Sequence, residues 1–323
     1  MNNKQNIIDY LEQNQEKFAK ISDKIWNNPE IRFELRESAD ALINALANEG
    51  FEIERNIAEM EDAFIATYGS GSPVIGFLGE YDALSNLSQI ADSVEKKPIE
   101  EGACGHGCGH HALGTGSMAA ALAVKQYMLD NNIKGTVKFF GCPAEESGSG
   151  KAFMARAGVF KGVDSMITWH PWTENEIWGT SSLANFQIYF NFKGKSSHSA
   201  ASPHQGRSAL DAAELMNVGV NYLREHIIQE ARVHYAYLDA GGKSPNVVQP
   251  ASSLLYVIRA PKSQQVKEIS DRIVKIAQGA ALMTETELEV KWDSACSEYI
   301  INDVLGKVMY ENMKLVGEIE YSV

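Results

Sequence analysis

The sequence predicts an α/β protein with a mainly parallel sheet and a smaller inserted unit of helices and antiparallel strands. Between residues 74 and 172, short apolar runs such as "PVIGFLGEYDA" and "GTVKFFGCP" alternate with helical segments, which is typical of a parallel sheet. Near residue 183 the pattern changes. The stretch "NFQIYFNFKG" alternates apolar and polar residues strictly, which indicates an antiparallel strand with one face in water.

The elements of the first unit follow in a simple order. Residues 5–28 and 38–46 have apolar residues spaced for one helix face, and each predicts an amphipathic helix. Buried strands are then predicted at "PVIGFLGEYDA", "GTVKFFGCP" and "SMITWHPW", with helices between them at "TGSMAAALAVKQYMLDNN" and "SGKAFMARAGVF". Ligands of such sheets bind at the carboxyl ends of the strands, so polar residues there are candidate site residues.

The second unit is predicted over residues 183–294. Strands at "NFQIYFNFKG", "ARVHYAYLDA", "SSLLYVIRAP" and "TELEVKWD" are combined with helices over residues 208–228 and 263–283. Their order, β-α-β-β-α-β, is that of the ferredoxin-like arrangement. We therefore expect residues 1–182 and 295–323 to form one domain, with residues 183–294 inserted into it.

Composition and charge narrow the function classes. The chain has 323 residues and a formal net charge of −13. This charge argues against nucleic acid or an anionic membrane as the main partner, because both attract basic patches. The first residues lack the apolar core of a signal peptide, and no stretch approaches the ~20 apolar residues of a membrane span, so we expect a cytoplasmic protein. Four cysteines are too few for a disulfide scaffold in a chain of this length.

The densest group of chemically active residues is "EGACGHGCGHHALGTG", residues 101–116. Two cysteines and three histidines fall within eight residues of a glycine-rich stretch that opens a helix. Thiolate and imidazole suit zinc and similar divalent ions. Three other interpretations stay open: a solvated glycine loop, a structural zinc knuckle, and a dinucleotide fingerprint at "GTGSMA". The knuckle lacks a second close-spaced ligand pair, and the fingerprint lacks a preceding strand.

Carboxylates and a further histidine follow the other predicted strands. Glu145 and Glu146 in "CPAEESGSG" come directly after a buried strand, where a turn at the proline would let both reach one cavity. One could bind a metal while the other, with a raised pKa, transfers a proton; two glutamates that merely solvate a turn are the alternative. His170 in "TWHPW" and Asp82 in "GEYDALS" lie at two more strand ends. Together these strand ends predict a single metal site.

In combination, these motifs point to a known family. "GEYDAL", "GHGCGHH", "PAEE" and "WHP" occur in the order found in the metal-dependent aminoacylases, carboxypeptidases and amidohydrolases of the dimetal peptidase family. The chain resembles most the amidohydrolases of the p-aminobenzoyl-glutamate hydrolase type. "GKSSHSAASPHQGRSALDAA" resembles the signature of that family's lid domain, and "NNPEIRFELRES" resembles its amino-terminal helix pair.

The resemblance implies a cofactor and a ligand set. Two divalent metal ions, Zn or Mn, would be held by Cys108, His110, Glu146 and His170, with the thiolate as the bridge between them. Glu145 would be the general base that activates water and later protonates the leaving amine. The implied reaction is hydrolysis of an amide or peptide bond in an N-acyl amino acid, a dipeptide or an aminobenzoyl-glutamate-like compound.

Further roles follow from the same resemblance. His198, a catalytic residue of the lid, would stabilise the tetrahedral oxyanion across a dimer interface. Asp82 would orient a ligating imidazole. His111 occupies the position where the family has aspartate or asparagine, and next to the ligands it would either act as an extra ligand or alter their hydrogen bonding. Asn246 and Arg259 would hold the carbonyl and the carboxylate of a small-molecule substrate. We also expect a homodimer or higher homo-oligomer through the lid, with no nucleic acid and no membrane as partner.

One departure from the family concerns the carboxyl-terminal part. The family takes a last metal ligand from a histidine there, whereas this sequence has no histidine after His234. Either the first domain is incomplete at its carboxyl end, or the second ion is held differently. Two rivals of the hydrolase therefore stay open: a catalytically impaired binding or scaffold relative of the same fold, and a nicotinamide-dependent oxidoreductase that uses "GTGSMA".

Overall fold

The computed structural model describes residues 4–317 and divides the chain into two compact units. One unit comprises the residues up to Glu176 together with those from Lys314 on, and the other comprises Ile177–Met313. The compact units thus place residues 177–182 and 295–313 with the second unit, whereas the predicted domains place them with the first. The division into functional domains stays a prediction.

Within residues 4–176, five strands form one sheet in the order β1-β2-β4-β3-β5. Strand β3 pairs in parallel with β4 and β5, but β2 pairs antiparallel with both β1 and β4. The sheet is therefore mixed, and the prediction of a mainly parallel sheet is wrong. The reason is the short connection of residues 71–73 between β2 and β3, which cannot return the chain to the other end of the sheet. Strand β2 therefore runs opposite to β3 and to β4, which lies between them. The strands are β1 (Glu52–Arg55), β2 (Phe64–Ser70), β3 (Val74–Glu80), β4 (Gly135–Cys142) and β5 (Ser165–Ile167).

The helices of this unit surround a core built on the sheet. The predicted helix over residues 5–28 is interrupted at Asn14, whose side-chain amide donates to the carbonyl of Tyr10. The core joins apolar residues of the helices to strand residues such as Phe64 and Phe139, both fully buried. The helices are α1 (Gln5–Gln13), α2 (Gln15–Trp26), α3 (Arg36–Asn48), α4 (His110–Asp130), α5 (Glu145–Gly148) and α6 (Gly150–Arg156).

A close approach between α4 and β3 fixes where the cysteine–histidine motif lies. A Cβ atom on Gly114 would come within 2.6 Å of the carbonyl oxygen of Glu80, so only glycine fits here without a shift of the backbone. The N-terminal part of α4 therefore lies directly against the carboxyl end of β3. This contact brings the residues of the "GHGCGHH" motif to the same sheet edge as the "GEYDAL" motif.

The second unit has the predicted β-α-β-β-α-β order. Its strands form an antiparallel sheet in the order β7-β8-β6-β9, and the two long helices α7 and α8 pack on it. Ile188, Phe190 and Phe192 are buried in its core, which confirms the alternation seen in the sequence. The elements are β6 (Ala184–Lys193), α7 (Ala209–Leu223), β7 (Arg232–Asp239), β8 (Ala251–Ala260), α8 (Ser263–Thr284) and β9 (Glu287–Cys296), followed by α9 (Asp303–Val316). The role of this unit as an inserted lid stays a prediction.

Candidate metal centre

The structure brings most of the predicted site residues of the first unit together at the carboxyl ends of β3 and β4. Asp82 lies two residues beyond β3, and His110 is the first residue of α4. Glu145 and Glu146 open α5, which begins three residues after β4. Because β3 and β4 are parallel neighbours, their carboxyl ends meet at one edge, as predicted from the sequence.

The imidazole of His110 is fixed in one orientation. Its Nδ1 lies 3.0 Å from Oδ1 of Asp82 and 3.1 Å from the carbonyl oxygen of the same residue. Both neighbours are acceptors, so Nδ1 carries the proton and donates. In the neutral imidazole, the other nitrogen, Nε2, then presents its lone pair to the centre of the site. Metal-ligating histidines are commonly oriented in this way by a carboxylate.

Several anionic oxygens surround that lone pair. Nε2 of His110 lies 3.2 Å from Oε2 of Glu80, 3.8 Å from Oε1 of Glu146 and 3.9 Å from Oε2 of Glu145. Each of the groups Glu80–His110–Glu145 and Cys108–His110–His170 offers ligand atoms that lie within 4.8 Å of one another. In the second group, Sγ of Cys108 and Nε2 of His170 are 3.4 Å apart.

These separations suit a divalent cation. Zinc bonds of ~2.1 Å to nitrogen or oxygen and ~2.3 Å to sulfur place neighbouring tetrahedral ligands roughly 3.3–3.6 Å apart. Moreover, Nε2 of His110, Oε2 of Glu80 and Oε1 of Glu146 are buried and have no hydrogen-bond partner among the described residues. Buried polar atoms are normally satisfied, so an unpaired imidazole nitrogen with two unpaired carboxylate oxygens at 3.2 and 3.8 Å from it fits a cation bound nearby. The donor set of this chain therefore fits a divalent metal.

The pKa shifts of two site residues also fit a bound cation. Burial raises the pKa of the Cys108 thiol to about 12, and nearby carboxylates add to the shift. A thiolate ligand thus requires a compensating positive charge here. Burial also raises the pKa of Glu145, and the charge of Glu80 raises it further. A carboxyl group with a raised pKa suits proton transfer near neutral pH.

Sequence reasoning did not assign the ion pair of Glu80 and Lys151. Glu80 is 6% exposed, and its carboxylate accepts a hydrogen bond from Nζ of Lys151 in α6. Glu80 could have been identified as a site residue from the sequence, because it ends the buried strand β3 two residues before Asp82. The lysine carried no such signal, because a single lysine in a short helix is ordinarily a surface residue.

His111 lies outside the two groups of candidate ligands. Its ring contacts Trp26 edge-on, with ring centroids 4.8 Å apart, and lies 5.2 Å from the ring of His106. Burial lowers the pKa of His111, which favours the neutral imidazole. This residue therefore packs against α2. Its predicted role, as an extra ligand or as a hydrogen-bonding neighbour of the ligands, stays a prediction.

The remaining predicted residues belong to the second unit. His198 forms an isolated bridge with Val247, and the N–H of Ser199 donates to the carbonyl of Asn246 at 3.0 Å, so these two loops lie side by side. Arg259 is an exposed residue of β8. The predicted roles of His198, Asn246 and Arg259 toward a substrate stay predictions.

The fold and the site together define an α/β protein with a candidate metal centre at the carboxyl ends of neighbouring parallel strands. Comparison with known proteins then shows the family. The model of peptidase family M20/M25/M40 matches residues 76–319, and the chain belongs to this family. The resemblance inferred from the motifs is confirmed, and the chain is a member of a family of hydrolytic enzymes.

Three relatives illustrate the similarity. The chain is 50% identical over 316 residues to the B component of p-aminobenzoyl-glutamate hydrolase from Escherichia coli strain K12, covering 98% of this chain and 66% of the relative, just under two thirds of its length. An aminobenzoyl-glutamate utilization protein from Klebsiella pneumoniae matches in structure with a TM-score of 0.73, 19% identity and coverage of 94% and 82%. The YXEP protein of Bacillus subtilis, described as a dinuclear metal binding peptidase, matches with a TM-score of 0.59, 20% identity and coverage of 94% and 81%.

These findings decide between the rivals. The "GTGSMA" stretch lies inside α4 and does not follow a strand, so the dinucleotide fingerprint is wrong. The family and the relatives give no support to a catalytically impaired scaffold. Among residues 4–317, no helix has the length and apolar character needed to cross a membrane.

Proposed function

We propose that this chain is a metal-dependent hydrolase of amide bonds that lie next to a free carboxylate. Aminobenzoyl-glutamate-like compounds, N-acyl amino acids and dipeptides are the candidate substrates, supported by family membership and by the similarity to a p-aminobenzoyl-glutamate hydrolase. One observation carries the proposal: Nε2 of His110 is buried and unpartnered in the described structure while three carboxylates surround it.

Cys108, His110, Glu146 and His170 would hold the metal, and two divalent ions, Zn or Mn, are proposed. Bound ions of this kind polarise the amide carbonyl and make water a stronger acid. Asp82 keeps the imidazole of His110 in the tautomer that can ligate. The thiol of Cys108 must lose its proton on binding, so metal affinity should rise with pH.

Glu145 is the proposed general base. Its side chain is 42% exposed, so water reaches it, and yet its pKa is raised by burial of the carboxyl group and by the charge of Glu80. Glu145 would accept a proton from the attacking water and deliver it to the nitrogen of the leaving amine. Both transfers need a group whose pKa lies closer to neutrality than that of an ordinary glutamate.

The second unit would supply substrate contacts. The exposed Arg259 would bind the free carboxylate of the substrate, because its planar guanidinium presents two parallel donors. Asn246 would bind the substrate carbonyl, and His198 would stabilise the oxyanion. We propose that this unit closes as a lid and joins chains into a homodimer or a higher homo-oligomer, in a cytoplasmic protein.

Metal content and a substrate panel test the proposal. The purified chain, loaded with Zn or Mn, should hydrolyse at least one of aminobenzoyl-glutamate, N-acetyl amino acids and dipeptides. Glu145→Gln should retain the bound metal while kcat falls about 10²–10⁴-fold, the usual contribution of general acid–base catalysis. Metal without turnover in the unaltered chain would favour a binding role, and near-normal turnover by Glu145→Gln would refute the assignment of the base.

A further inference from the structure

The turn that carries the two glutamates has an unfavourable backbone conformation at both ends. Helix α5 spans only Glu145–Gly148, and the residues that flank it, Ala144 and Ser149, have φ values of 56° and 55°. The left-handed region is unfavourable for residues that carry a Cβ atom, so neighbouring structure must impose it. The position of the two carboxylates therefore depends on tethers to the rest of the unit.

Two tethers hold this turn, and both end on carboxylates just before and after Tyr81. At the start of the turn, the N–H of Glu146 donates to Oδ2 of Asp82 at 3.0 Å. Beyond its end, Lys151 of α6 donates to Oε1 of Glu80. Tyr81 itself is fully buried. The carboxyl end of β3 thus fixes the turn from both sides.

The second tether also decides where the Glu80 carboxylate lies. Its Oε1 is occupied by Lys151, whereas its Oε2 lies 3.2 Å from Nε2 of His110 and has no hydrogen-bond partner among the described residues. Without the ammonium group, this buried carboxylate would stand uncompensated beside Glu145 and Glu146. Like charges in a buried site repel, so the freed Oε1 would then also turn toward a bound cation.

We propose that the ion pair of Glu80 and Lys151 is a positioning element of the metal centre. It holds the turn with Glu145 and Glu146 in place, and it keeps Oε1 of Glu80 from becoming an additional metal ligand beside Oε2. The inference rests on the proposed function for its effect on turnover. Its effect on metal coordination does not depend on any substrate.

The test compares four variants by cobalt binding and by kinetics. Lys151→Met removes the tether, Lys151→Arg keeps a donor, and Glu80→Gln combined with Lys151→Met removes the freed carboxylate as well. Lys125→Met is the matched control, because Lys125 also bonds a partly buried carboxylate, that of Glu49. Cobalt per chain is measured by mass spectrometry and coordination by the visible absorption of bound Co²⁺, because ligand number and type set those bands.

Lys151→Met should bind cobalt with an altered spectrum. Where turnover is measured, kcat should fall roughly 10–100-fold with KM changed less than about 3-fold, the size of effect expected for a misplaced catalytic group. Lys151→Arg should recover most of the kcat. The double variant should recover the spectrum, because the bond to Asp82 still holds Glu146, but not the kcat, since the tether beyond the end of the turn stays broken. Lys125→Met should leave both unchanged.

Several results would overturn the inference. These are a wild-type spectrum and kcat in Lys151→Met, an equal change in Lys125→Met, or a wild-type chain that binds no cobalt. If the wild-type chain binds cobalt but cleaves none of the substrates, the proposed function fails and the spectra alone decide. If Lys151→Met does not fold, Lys151→Gln replaces it, because it also removes the ammonium group; an altered spectrum then supports the inference and an unaltered one overturns it.

Discussion

Asp82 connects two parts of the candidate site through one side chain. Its Oδ1 accepts from Nδ1 of His110, and its Oδ2 accepts the N–H of Glu146, each at 3.0 Å. The residue is 1% exposed, so neither bond competes with water. One carboxylate thereby fixes the tautomer of an imidazole and the start of the turn that carries the two glutamates.

We expect Asp82→Asn to weaken metal binding about 10–100-fold, the usual effect of losing the partner of a ligating histidine. An asparagine can accept only one of the two hydrogen bonds, and it removes the negative charge beside His110. Competition with a chromophoric chelator measures the affinity. Asp62→Asn is the control, because Asp62 is another buried carboxylate and accepts the N–H of Leu35 at 2.7 Å; it should lower stability and leave metal affinity unchanged. Equal affinity in both variants would contradict the role of Asp82.

A residue remote from the site gives a pH prediction. Hydrogen bonds from Lys17 and Lys125 hold the pKa of Glu49 below its usual value, the bond from Lys17 being the larger cause. A lowered folded-state pKa stabilises the fold above the carboxyl pKa of the unfolded chain, ~4.3, and this stabilisation is lost as pH falls through the folded value. The Tm difference between wild type and Glu49→Gln should therefore be largest near pH 6–7 and shrink below about pH 4. A Tm difference between the two proteins that stays constant down to pH 3 would contradict the stabilising role of the ionised Glu49.

The packing of α4 on β3 is an element-scale feature that stability measurements can test. Gly114→Ala would place a Cβ atom 2.6 Å from the carbonyl oxygen of Glu80. Overpacking of this kind typically costs about 1–3 kcal/mol, against which alanine recovers ~1 kcal/mol of helix propensity. Gly279→Ala in α8 is the matched control, because nothing lies within 4 Å of its added Cβ. In urea denaturation, the free energy of unfolding should fall for Gly114→Ala and rise by ~0.5–1 kcal/mol for Gly279→Ala. A rise in both variants would show that β3 shifts to accommodate the added Cβ atom.

Elements with strong local patterns were predictable, whereas features set by long-range pairing were not. The alternation around Phe190 identified β6, and apolar runs located the strand ends that carry Asp82 and Glu145. The antiparallel attachment of β2 to β4 could not be read from either strand, because pairing partners lie about 70 residues apart. Likewise the bond between Glu80 and Lys151 joins residues 71 positions apart, and no periodicity records such a contact.

At the scale of the whole molecule, each compact unit has a hydrophobic core of its own. Phe64 and Phe139 are fully buried in the first unit, and Phe190 and Tyr256 are fully buried in the second. The candidate ligands all belong to the first unit. A bound ion that favours only the folded state stabilises the unit that holds it, by an amount that grows with the ratio of metal concentration to Kd.

We therefore expect a chelator to lower the melting temperature of the first unit and to leave that of the second nearly unchanged. Metal at 100 times its Kd contributes about 2.7 kcal/mol, which for a unit of this size shifts its transition by roughly 5–10 °C. Calorimetry of the metal-loaded and chelated chain would resolve the two transitions. Trp178 and Trp292 are the tryptophans of the second unit, so the fluorescence of a variant that carries both Trp178→Phe and Trp292→Phe reports the first unit alone. Equal shifts of both transitions would show that the units unfold as one cooperative structure, and no shift in either would argue against a metal held by the folded first unit.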